Sequence, residues 1–77
     1  MKVKLGDYRV QYNPIKHVLE KENPKDINKF ITTFAACYHV PIIVVAHYVS
    51  EMIGMKPEIQ ELIDRITKFY GYTEVTE

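Results

Sequence analysis

Residues 30–50, FITTFAACYHVPIIVVAHYVS, contain no Lys, Arg, Asp or Glu, in a chain whose charged fraction is 26%. Such a run either crosses a membrane or forms the core of a small domain. It is just long enough to span a hydrocarbon layer, which takes about 20 residues. Its contents do not suit one. His39 and Pro41 lie near the centre, and Thr32, Thr33, Tyr38, His47 and Tyr48 are also inside it. The apolar period continues past both ends, through Ile27 upstream and through Met52 and Ile53 downstream. A spanning helix shows a boundary there, with Lys and Arg clustered on one side. The run is core, and no membrane partner is expected.

The fold turns on whether its second half is helix or strand. Val40, Ile42, Ile43, Val44, Val45 and Val49 are β-branched, and Val-Pro followed by an apolar stretch is a common way into a buried parallel strand. The pattern also extends through Val45, Val49, Met52 and Ile53, which is helical spacing, and stops at Gly54. A helix over about 41–53 is the preferred reading. A strand over 41–47, giving an α/β layer, is the alternative.

The flanks are easier to read. Upstream, Asn23-Pro24 marks a helix start, and Ile27, Phe30, Ile31, Phe34, Ala35 and Tyr38 form one stripe, predicting a helix over about 24–38. Asn13-Pro14 gives the same signal for a short helix over about 14–21, with Ile15, Val18 and Leu19 inward, the alternative being that IKHVLE continues as a strand. Downstream, Pro57, Glu58 and Gly71 bound a helix over 57–70 whose buried stripe is Ile59, Leu62, Ile63, Ile66, Phe69 and Tyr70. Residues 2–12, KVKLGDYRVQY, read as a β-hairpin turning at Gly6-Asp7. Alternation puts Val3, Leu5, Tyr8, Val10 and Tyr12 on its inner face and Lys2, Lys4, Arg9 and Gln11 on its outer face. The tail TEVTE is expected to fray.

With a helix at 41–53, FAACYHVPIIVVAHYVSEMIG (34–54) resembles the helix-turn-helix pattern. Ala35 stands where the first helix needs a small residue, and His39 stands at the turn position usually given to Gly. Val40 is the apolar turn residue, and Val45 and Tyr48 take the inward positions of the second helix. The resemblance implies a tri-helical core and DNA binding. The residues at the base-reading positions depart from it: Pro41, Ile42, Ile43, Ala46 and His47, of which only His47 suits a base edge. No Lys or Arg lies between 30 and 55 to hold phosphates. The expected fold is thus a single small α+β domain: an N-terminal hairpin on three to four helices with a helix-turn-helix-like core.

Composition narrows the chemistry. Seventy-seven residues bury little more than half of the unfolded surface, so dimerisation is a natural way to add buried area. Cys37 is the only cysteine, so there is no disulfide, and a lone thiol in an apolar run is expected in the core and suits a reducing cytoplasm. Nor is a secretory signal read in MKVKLGDYRV. The formal charge is zero, yet residues 1–29 carry seven cations against four anions and residues 30–77 carry three against six. Cys37, His39 and His47 match no zinc framework. Gly6, Gly54 and Gly71 are isolated rather than gathered in a phosphate loop, and no cofactor motif occurs. No metal, cofactor or catalysis is expected.

What remains is a binding surface. Tyr8, Tyr12, Tyr38 and Tyr70 fall on inward stripes, leaving Tyr48 and Tyr72 as interface candidates. The expected function is a non-enzymatic regulatory or inhibitory module that binds another protein, one with an acidic surface. It would use the basic face (Lys2, Lys4, Arg9) and the apolar surface of 42–48 (Ile43, His47, Tyr48). The alternative is a helix-turn-helix DNA-binding regulator that holds phosphates with its basic hairpin.

Overall fold

A computed structural model of the chain describes residues 2–72 and 74–76. It is mostly helical. Strand β1 (Lys2–Lys4) leads into a 3-10 segment (Leu5–Gln11) and then α1 (Tyr12–Glu22), α2 (Ile27–Tyr38), α3 (Ile42–Ile53) and α4 (Pro57–Tyr70). Strand β2 (Glu74–Thr76) follows. The disputed segment is helix. Ile43, Val44, Val45, Ala46, Tyr48 and Val49 are all buried in α3, and α1, α2 and α4 each pack on it. A helix whose first two turns are apolar almost all round belongs in the centre, which overrides the modest β preference of its branched residues. Among the described residues no helix is long and apolar enough to cross a membrane.

The N-terminal hairpin is not formed. β1 pairs with β2 instead, in parallel, with Lys2 against Glu74, Val3 against Val75 and Lys4 against Thr76. Gly6-Asp7 lies within 3-10 turns rather than in a two-residue reversal. The reason lies in the spacing. Leu5 and Tyr8 share a face at a separation of three in a 3-10 helix as well as across a hairpin turn. The two readings differ at Val10, inward in the hairpin but 77% exposed here. Of the tail expected to fray, residues 74–76 supply the partner strand, Val75 packs on the core, and Thr73 and Glu77 lie outside the described residues.

The helix boundaries show what each punctuating residue does. α1 begins at Tyr12, continuous with the 3-10 segment, so Pro14 sits in its first turn, where no N–H is needed. Asn23 closes α1 instead of opening α2: its φ is 44° and its N–H donates to the Leu19 carbonyl. The cap of α2 is Asp26, whose side chain accepts the Lys29 N–H at 3.1 Å, so α2 starts three residues later than Pro24 suggests. His39 has φ 55° and ends α2, in the role usually given to Gly. α4 runs from Pro57 to the left-handed Gly71, as expected.

Tyr48 ties the N-terminal segment to this centre. Fully buried on α3, it donates its hydroxyl hydrogen to the Leu5 carbonyl. Its ring meets Tyr12 edge-on at 5.5 Å between centroids. The Arg9 guanidinium lies 4.9 Å from the Tyr48 centroid and 5.6 Å from that of Tyr12, and it pairs with Glu51 at 3.5 Å. A buried carbonyl deprived of its donor costs its desolvation. Tyr48→Phe should therefore lower stability by about 1–2 kcal/mol, measured as a drop in urea midpoint at unchanged slope. The turn residues give a second check, with opposite signs. His39→Gly relieves a left-handed Cβ and should raise stability by about 1 kcal/mol. Gly54, at φ 86° and ψ 155°, occupies a region open essentially to Gly. Gly54→Ala should lower stability by about 1–3 kcal/mol in the same assay, although nothing lies within 4 Å of the added carbon.

Candidate interaction surface

The six residues expected to bind a partner, through a basic face and the apolar surface of 42–48, are dispersed. Lys2 and Lys4 are exposed on β1, on either side of the buried Val3. Arg9 is engaged with Glu51 and the two tyrosine rings. Ile43 and Tyr48 have no exposed surface, so neither can contact a partner in this fold. His47 is half-buried, and its carbonyl accepts the Ser50 hydroxyl at 2.7 Å. The structure brings Arg9 and Tyr48 together, but as a lid on the core rather than as a site. The reason is the central position of α3: every flank of 42–49 is needed to hold the other helices.

Other residues expected inside are outside. Tyr38 is 54% exposed, Phe69 81% and Tyr70 51%, and Cys37 is an exposed thiol. Among the described residues no three His, Cys, Asp or Glu side chains are placed to hold a metal ion.

Tyr38 and Cys37 line a groove of about 490 Å³ between α1 and α2. These helices both pack on α3 but barely touch each other. Phe30, Phe34 and Tyr38 recur every four residues along its α2 side. Phe34 and Tyr38 stack at 4.3 Å, and Phe30 lies 6.0 Å from Phe34. Val18 faces them from α1, and Glu22, Lys25, Asp26 and Lys29 give the groove a mixed-charge lining at the α1–α2 connection. The floor is thus apolar and aromatic, with charges of both signs at one end.

A second apolar region surrounds the end of α4. The rings of Phe69 and Tyr70 lie 4.9 Å apart, and Tyr70 and Tyr72 6.0 Å. Burial raises the Tyr72 hydroxyl pKa above its usual value, with smaller contributions in the same direction from Tyr70 and Tyr8. The expected interface role of Tyr72 therefore falls on a residue that is half-buried among aromatics.

No protein-family model, curated protein or solved structure matches this chain.

Two signals for these surfaces are present in the sequence. The α2 stripe holds six apolar positions, more than one neighbouring helix can cover, and α4 places adjacent aromatics in its last turn. The exposed thiol provides a direct test of the groove. Cys37 should react with a maleimide in the folded protein within about threefold of its rate in urea, whereas a core thiol would be protected by orders of magnitude.

Proposed function

We propose that the chain is a non-enzymatic regulatory or inhibitory module that acts by binding another protein, and that the α1–α2 groove receives the partner. The observation that carries this reading is the gap itself: two helices rest side by side on α3 with an aromatic floor left open between them. A third helix laid in that gap would bury Tyr38 and the rims of Phe30 and Phe34, the usual way an amphipathic helix fills an apolar groove. The occupant is therefore an amphipathic helix of the partner, with apolar residues on its inner face and an acidic residue to meet Lys25 and Lys29. An accessible reduced thiol beside the groove fits a cytoplasmic setting.

Protein binding is favoured over the helix-turn-helix, DNA-binding alternative by the position of α3. The helix that would enter a major groove is the one whose Ile43, Val44, Val45 and Ala46 are enclosed by the rest of the chain.

Affinity capture from a lysate of the native cell, with and without nuclease, tests both readings. The wild-type chain should retain one protein in stoichiometric amount after nuclease, and the groove variant carrying Thr33→Arg and Tyr38→Asp should not. Both positions are exposed, so the variant should keep the wild-type melting curve. Recovery of nucleic acid alone, lost on nuclease treatment, would overturn the protein-binding reading. Equal retention by the variant would overturn the groove as its location.

A further inference from the structure

We infer that a second copy of this chain docks on the outer face of α4, antiparallel and about a two-fold axis near residue 63. This surface shares no residue with the α1–α2 groove, and the inference does not rest on the groove's function. Glu58, Leu62, Arg65 and Phe69 recur at spacings of four, three and four, so they lie along one stripe of the helix, with Glu61 and Lys68 beside it. A shallow depression on this side is lined by α4 residues alone, including Leu62, Arg65, Lys68 and Phe69. No other element covers it.

Two features point to a copy of the same chain as the occupant. The first is charge order. The first half of the stripe is acidic (Glu58, Glu61) and the second half basic (Arg65, Lys68), all four exposed. No ion pair among the described residues engages any of them. An antiparallel copy sets Arg65 opposite the second copy's Glu61, and Lys68 opposite its Glu58; the two-fold axis makes each pair twice. A parallel copy would set like charges together.

The second feature is apolar placement. The same register brings Phe69, 81% exposed, to the second copy's Pro57, next to the loop that holds Met55, itself 51% exposed. Phe69 and the Met55–Pro57 segment then cap both ends of a contact whose middle is the paired charges of Glu61 and Arg65, Leu62 beneath them being buried in its own chain. Fourteen residues give a contact about 21 Å long, smaller than a standard interface, so the dissociation constant should be on the order of 100 µM.

Sedimentation velocity of the purified chain from about 10 µM to about 1 mM tests this across the expected midpoint. The wild-type chain should move from monomer to dimer over that range. Arg65→Glu alone, Glu61→Arg alone and Phe69→Asp alone should each remain monomeric, with far-UV melting curves like the wild type because all three positions are exposed. An equimolar mixture of Arg65→Glu with Glu61→Arg should dimerise again, since each chain then supplies the charges that the other lacks. A wild-type chain that stays monomeric at about 1 mM would overturn the inference. So would a dimer that survives Phe69→Asp, or a mixture that stays monomeric.

Discussion

The structure depends on one constraint: the first two turns of α3 have almost no polar surface to leave outside. Its first eight residues, IIVVAHYV, hold a single strongly polar side chain, and six of the eight are buried. Each apolar side chain removed from water is worth about 1.5–3 kcal/mol, so the lowest free energy encloses this part of the helix. In a chain of 77 residues, enclosure consumes nearly every other element. α1, α2 and α4 take separate flanks, and the 3-10 segment closes the part nearest Tyr48, where the Leu5 carbonyl accepts its hydroxyl and Arg9 lies over the ring.

The exposed surfaces are consequences of that arrangement. Three helices distributed around a fourth cannot all pack on one another, and α1 and α2 are a pair left apart. Of the aromatic ladder of α2, Phe30 and Phe34 are buried and only Tyr38, at the end of the stripe, stands exposed in the groove. α4 ends in the same way. Its stripe extends beyond the body it packs on, and Phe69 and Tyr70 stand past the last covered turn, after Ile66. Large apolar side chains left outside in this way, rimmed by charge, characterise binding surfaces.

A dimer formed on α4 would leave both grooves free, because the two surfaces have no residue in common. The assembly would then present two copies of the α1–α2 groove. A partner with two helices, or one that is itself dimeric, would gain from the linkage without any new contact. Self-association and partner binding would act together, the first setting the valence of the second.

Much of the secondary structure was legible in local sequence. Pro57 and Gly71 fix α4, Gly54 ends α3, and helical periodicity locates α1 and α2, because these signals depend only on backbone sterics and side-chain spacing. Asn23 and Asp26 divide one apparent start signal between the end of one helix and the cap of the next, a distinction that neighbouring residues alone do not make. The N-terminal segment is ambiguous in sequence because Leu5 and Tyr8 satisfy a hairpin and a 3-10 helix equally. The parallel partner of β1 comes from the opposite end of the chain, which no local pattern can indicate. The candidate site shows the same division. Sequence determined which residues are apolar and at what period, and hence that Ile43, Tyr48, Tyr38 and Phe69 all seek burial. Only the tertiary structure decided which of them obtain it, because the number of faces that a central helix offers is set by packing and not by the stripes competing for them.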